Sequence, residues 1–122
     1  EGFAHLHANG IIHRDVKPSN IFVHEKEVKI GDLGLATTFL MLPSEKVDSG
    51  NAKGSETGKS LSSEVGTFLY CAPEIKQGKR YDEKADIYSL GVLLVEIFHS
   101  FSTGMERAKV LGELGQGIFP VE

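Results

Sequence analysis

The segment Ile12-His13-Arg14-Asp15-Val16-Lys17-Pro18-Ser19-Asn20-Ile21, followed after an interval by Gly31-Asp32-Leu33-Gly34, concentrates the chemistry-bearing side chains of this chain. Asn20 and Asp32 are hard oxygen donors of the kind magnesium takes. That ion keeps several waters and is held by one or two protein groups together with substrate phosphates. Asp15 supplies a carboxylate able to accept a hydroxyl proton. Lys17, two residues on, supplies an ammonium able to neutralise charge on a transferring phosphoryl group. These are the parts that phosphoryl transfer requires.

The elements that must position them can be read from local pattern. Phe3, Leu6 and His7 share one helical face, and Asn9-Gly10 closes the run, so the chain is expected to open on the last turns of a helix. The β-type runs Ile21–Val23 and Val28–Ile30, separated by His24-Glu25-Lys26-Glu27, predict a small hairpin between Asn20 and Asp32. Asp82 is the expected N-cap of a helix running to about His99. Its apolar residues from Ile87 to Phe98 fall on every side, as in a helix enclosed by protein. A second helix is expected over about 104–114, with Met105, Ala108, Leu111 and Leu114 at helical spacing and Gly115-Gln116-Gly117 ending it. Between Ser44 and Glu64, six of 21 residues are serine, three glycine and seven charged. Such a stretch cannot bury enough surface to offset its ordering entropy, which predicts a flexible insert.

Composition bounds the rest. The chain has 122 residues, 40% apolar and 25% charged, with a net charge of −4, so a basic grip on nucleic acid or an acidic membrane is not expected. Its one cysteine, Cys71, reads as a small apolar residue in a reducing compartment. The apolar run Ile87–Phe98 is interrupted by Ser89, Gly91 and Glu96 and falls short of the roughly 20 residues of a membrane span. The sequence begins Glu1-Gly2-Phe3 and carries no G-x-G-x-x-G ahead of Asp15, so a fragment of a larger domain is expected.

The ordered motifs resemble those of eukaryotic protein kinases: an H-R-D-x-K-P-x-N catalytic loop at 13–20, a D-F-G-type motif at Asp32-Leu33-Gly34, an A-P-E motif at Ala72-Pro73-Glu74, and the Asp86-to-Gly91 start of a buried helix. The resemblance implies an α+β kinase-like fold represented by its mostly helical C-terminal lobe with a small β-hairpin, the N-lobe being absent. One partial domain would span 1–122, with an activation segment over 32–74 that contains the insert 44–64. It further implies ATP and Mg2+ as cofactors, Asp15 as catalytic base with Lys17 catalytic beside it, Lys17, Asn20 and Asp32 at the nucleotide, and Asn20 and Asp32 as metal ligands, Asp32 bridging the metal to the nucleotide phosphates. Asp86 would hold the catalytic loop from below, His13 would pack internally, and Arg14 would answer a phosphorylated activation segment. Leu33 would fill the slot usually taken by phenylalanine. Lys17 is similar to the serine/threonine class.

The segment Phe101-Ser102-Thr103-Gly104-Met105-Glu106-Arg107 closely resembles one in the kinases of the translation initiation factor 2 alpha subunit, where this helix docks the substrate. Thr103 and Glu106 are the implied contacts. The 43-residue span from Asp32 to Glu74 fits the same branch, and Thr67 and Ser62 match its autophosphorylated positions. The resemblance thus implies a cytoplasmic enzyme that lowers translation initiation under stress, with no nucleic acid or membrane contact through this region and homodimerisation through the N-lobe. A kinase of another branch and a non-catalytic regulatory module are the competing readings. Without the N-lobe's phosphate cradle, these 122 residues alone are expected to be inactive.

Overall fold

The computed structural model describes residues 1–38 and 68–121. Helix α1 spans Gly2–Ala8. Asn9 donates its side-chain Nδ2 to His5 O at 2.8 Å, and Gly10 follows at φ 72°, a left-handed conformation that glycine adopts without a Cβ clash. Strand β1 (Ile11–Ile12) then leads through residues 13–17 into a 3-10 turn, Pro18–Asn20. Pro18 opens that turn with its ring-fixed φ.

Strands β2 (Ile21–His24) and β3 (Glu27–Ile30) pair antiparallel, with Ile21 opposite Ile30 and His24 opposite Glu27. Each strand is one residue longer than its apolar run. The connection is therefore the two-residue turn Glu25-Lys26, with φ of 47° and 69°, the sense of twist that lets a tight hairpin follow its strands. Strand β4 (Thr37–Thr38) pairs antiparallel with β1. A two-residue strand carries no readable period, which is why this pair was not anticipated.

Three helices complete the described part: α2 (Pro73–Lys76), α3 (Lys84–Phe98) and α4 (Gly104–Leu114). Asp82 Oδ1 accepts from Lys84 N at 2.9 Å, so Asp82 does cap α3, although Glu83 is the residue immediately ahead of the first helical turn. Tyr70, Val92, Leu93, Leu111 and Leu114 form the core, with Ile21, Leu69, Tyr88, Val95 and Phe101 packed on it. α3 buries Ala85, Asp86, Ser89, Val92 and Leu93, while Ile87, Leu94, Ile97 and Phe98 on its other side are exposed. One face of this beam is covered where the pattern implied all-round enclosure. No helix among the described residues is long and apolar enough to cross a membrane.

The inward face of α4 also differs from the expected one. Leu111 and Leu114 are buried and Arg107 and Val110 are half-buried, whereas Ala108 is exposed and Met105 is 86% exposed. Positions 107, 110, 111 and 114 follow the i, i+3, i+4, i+7 rule of a buried stripe. Met105 and Ala108 lie outside it, because each step of three residues falls about 60° short of a full turn, which leaves Met105 on the side opposite Leu114; the inward place is taken by Arg107, paired with Glu96 on α3.

Candidate active site

The site is built on a fully buried carboxylate. Asp86 sits in the first turn of α3, where the helix dipole favours negative charge. Its Oδ2 accepts from His13 N at 2.8 Å and lies 2.8 Å from His7 Nε2, and its Oδ1 accepts from Arg14 N at 2.9 Å. Two successive backbone N–H groups converging on one carboxylate fold the chain back at Arg14, which has φ 66°. A non-glycine residue held there stores about 1–3 kcal/mol and persists only when its surroundings over-determine it. The two bonds to Asp86 do so, together with Arg14 Nε donating to Leu35 O at 2.6 Å and Arg14 Nη1 donating to Tyr81 OH at 2.8 Å.

His13 is 0% exposed. Its Nδ1 accepts from Asp15 N at 3.1 Å, which leaves Nε2 as the donor to Gly31 O at 2.8 Å. Gly31 N in turn donates to Asn20 O at 2.8 Å. Gly31 is thus held from both sides, so Asp32, the next residue, is carried to the 13–20 loop by the open end of the hairpin. A Cβ on Gly31 would come within 2.3 Å of the Phe22 ring, so any larger residue there would have to push that half-exposed ring aside. Asp32 itself has φ 53°, and its exposed carboxylate accepts from Gly34 N at 3.1 Å.

Around Asp15 the groups close up. Asn20 Nδ2 donates to Asp15 O at 2.7 Å and to Asp15 Oδ2 at 3.0 Å. Both amide protons are thereby directed at Asp15, and the amide oxygen is left as the acceptor end. Asp15 is 7% exposed, and its Oδ1 is buried with no hydrogen-bond partner among the described residues. Lys17 Nζ stands 3.4 Å from that oxygen, an ion pair too long to count as a hydrogen bond. A buried carboxylate oxygen without a hydrogen bond is expensive; the Lys17 ammonium offsets part of that cost and leaves a place for a hydrogen-bond donor from a bound molecule.

Asp15, Lys17 and Asn20 are in one cluster, and Asp32 is tied to it through Gly31. No group of three or more His, Cys, Asp or Glu side chains among the described residues could hold a metal ion. The two oxygen donors, Asn20 Oδ1 and the Asp32 carboxylate, instead match the sparse protein ligation of magnesium that accompanies bound phosphates. Thr67, Ser62 and the insert 44–64 lie outside the described residues.

Thr103 and Glu106 stand apart from this cluster, at the start of α4. Thr103 Oγ1 accepts from Glu106 N at 3.0 Å, and Glu106 Oε2 accepts from Ser102 N at 2.7 Å. This is a capping box with the glutamate's bond displaced to the residue ahead of the N-cap, so both residues stabilise the helix end. Burial pushes the Cys71 thiol up in pKa.

One constellation escaped the sequence reading. Tyr70 OH donates to Glu96 Oε2, Arg107 Nε donates to Glu96 Oε1 at 2.5 Å, and Arg107 Nη2 donates to Tyr70 OH at 2.7 Å. Burial, reinforced by Glu96, pushes the Tyr70 phenol up to about 12. An acid in the largely apolar helix α3 and a base 11 residues later in α4 were the available signals. Neither has a spacing that one helix could pair.

Residues 1–108 match the family model described as the protein kinase domain. The rat "Eukaryotic translation initiation factor 2-alpha kinase 1" is 48% identical over 122 residues, covering 98% of this chain and 19% of that relative. The "eIF-2-alpha kinase GCN2" of Arabidopsis thaliana is 47% identical over 117 residues, covering 93% of this chain and 9% of that relative. The protein of that name from Schizosaccharomyces pombe is 43% identical, over 91% of this chain and 7% of its own length. The chain therefore spans about a fifth or less of these relatives. Since the family match runs through the 13–20 loop, the hairpin, the Asp32 turn and the α3 platform, the chain belongs to the protein kinase domain family.

Proposed function

We propose that this chain is the larger, mostly helical C-terminal lobe of a serine/threonine kinase that transfers the γ-phosphoryl group of ATP to the translation initiation factor 2 alpha subunit. One observation carries the chemistry: Asp15 keeps a buried oxygen without a hydrogen bond while its second oxygen is held by Asn20. A carboxylate oxygen left without a hydrogen bond, with Asn20 against its partner oxygen and Asp32 following the tethered Gly31, is what a hydroxyl nucleophile and a metal-bound nucleotide would complete. The relatives' names support the substrate, and the likeness of Thr103 and Glu106 to a docking segment supports its route of recognition.

In this reading the acceptor hydroxyl hydrogen-bonds Asp15 Oδ1, which orients the oxygen toward the γ-phosphorus. As the new P–O bond forms and the bond to the β-phosphate oxygen breaks, the hydroxyl proton passes to Oδ1 and ADP leaves. Lys17 Nζ, beside the same oxygen, offsets charge on the transferring group. Asn20 Oδ1 and Asp32 would hold Mg2+, which supplies charge neutralisation at the phosphates. Thr67 and Ser62 are the proposed autophosphorylation sites, and Arg14 the group that answers them. The setting is the cytoplasm, with stress-dependent control of translation and dimerisation through the N-lobe.

The test is phosphate transfer from ATP to purified initiation factor 2 alpha subunit by the complete parent protein, beside its Asp15→Asn variant. Transfer that falls by about 10²-fold or more in the variant is expected for loss of a general base. Autophosphorylation without transfer to the subunit would retain the kinase and discard the substrate.

A further inference from the structure

The apolar core between α3 and α4 does not by itself set which way α4 faces. A turn of α4 by a full residue, roughly 100°, would carry Leu114 out of the core it shares with Val92, Leu93 and Leu111, but apolar contact is non-directional and tolerates a smaller rotation. What opposes it is directional. The Arg107 guanidinium reaches both Glu96 on α3 and the Tyr70 hydroxyl, and a planar fork satisfies two partners in one orientation only.

Tyr70 belongs to the segment leading into Ala72-Pro73-Glu74, and it is fixed a second time through its backbone, where Ser89 Oγ donates to Tyr70 O at 2.5 Å. Charged groups as enclosed as these, with side-chain exposures of 35% for Arg107 and 19% for Glu96, add little net stability over apolar replacements. Their use is to select one geometry.

We propose that Arg107 is a positioning residue for substrate choice: with Glu96 and Tyr70 it sets the rotation of α4 relative to the 70–74 segment, and so decides which face of α4 a folded protein substrate meets. This rests on the docking reading above. The face so presented includes Met105, 86% exposed, and the exposed Ala108, Lys109 and Gly112. Rotation would swing Met105, and the capped N-terminus that bears Thr103 and Glu106, about the helix axis and away from the face the substrate meets.

The experiment compares the complete parent protein with Arg107→Met and with the double variant Glu96→Gln/Arg107→Met, which avoids leaving Glu96 charged and unpaired. Each is assayed on the folded initiation factor subunit and on a short peptide carrying the same acceptor hydroxyl. The expected result is a KM for the folded subunit raised roughly tenfold, the size typical of uncoupling members of one hydrogen-bonded network, with kcat and the peptide KM unchanged. Adding Tyr70→Phe to Arg107→Met should raise the KM no further. Equal losses on both substrates, no loss on either, or failure of both variants to fold would overturn the inference, the last by making the triad a requirement of folding alone. A wild-type protein that phosphorylates the peptide but not the folded subunit would instead refute the docking reading, and the positioning role would fall with it.

Discussion

Replacing Asp86 by asparagine preserves volume but converts one of two acceptor oxygens into a donor inside a 0% exposed site. Oδ2 serves both His13 N and His7 Nε2, whereas Oδ1 serves Arg14 N alone. The least costly placement therefore keeps the amide oxygen at the Oδ2 position and turns the NH2 against the Arg14 N–H. One inward-facing backbone donor is then unsatisfied, at about 1–3 kcal/mol, and the bond retained by His13 loses its charge assistance, about 1 kcal/mol more. The sum, about 3 kcal/mol, corresponds to roughly a hundredfold in local opening. With Oδ1 gone, the backbone bond that holds Arg14 at φ 66° is lost and only its side-chain bonds to Leu35 O and Tyr81 OH remain, and relaxation there moves Asp15, the next residue. Hydrogen exchange resolved to residues 13–15 in the complete protein should show Arg14 N–H exchanging about a hundredfold faster and His13 N–H much less affected. Phosphate transfer should fall in parallel while nucleotide binding persists. Unchanged exchange at Arg14, or equal acceleration of both amides, would refute the assignment of one acceptor oxygen to each.

Further outcomes follow from the same geometry. Thr103→Ala removes the acceptor for Glu106 N and should cost about 1 kcal/mol of α4 stability, whereas Thr103→Ser restores it; a docking defect that persists in the serine variant, read as KM for the folded subunit, would separate contact from capping. Tyr70, pushed up to about 12 by burial and by Glu96, holds its proton in the folded state above the ordinary tyrosine value of about 10. Its contribution to stability is complete below about pH 10 and is lost as pH rises toward 12. Phenolate absorbance of the wild type minus Tyr70→Phe should accordingly show a transition near the upper value, and a midpoint near pH 10 would contradict the triad. Asp32→Ala in the complete protein should weaken magnesium-dependent nucleotide binding, measured by calorimetry with and without the ion; equal affinity in both conditions for wild type and variant would remove Asp32 and the metal from the site.

What the sequence by itself determined is local. The hairpin between Asn20 and Asp32, the stop at Asn9-Gly10 and the cap at Asp82 depend on residues a few positions apart, whose turn, capping and periodicity preferences act before any tertiary contact forms. The identity of the cluster Asp15, Lys17, Asn20 and Asp32 was legible because three members share one short loop and the fourth follows one hairpin. The tertiary structure alone decided what spans long intervals. Asp86 lies 73 positions from the His13 amide that it holds. The strained Arg14 backbone is a consequence of that bond, and no local preference of arginine would produce it. Arg107 takes an inward place on α4 beside Leu111 and Leu114, because a partly buried guanidinium must find its carboxylate and hydroxyl partners. Burial of a methionine is a non-directional gain that Leu111 and Leu114 already supply. Hydrophobic period specifies that a helix packs; the bonds among Tyr70, Glu96 and Arg107 add directional contacts between residues far apart in the chain, which no local pattern announces.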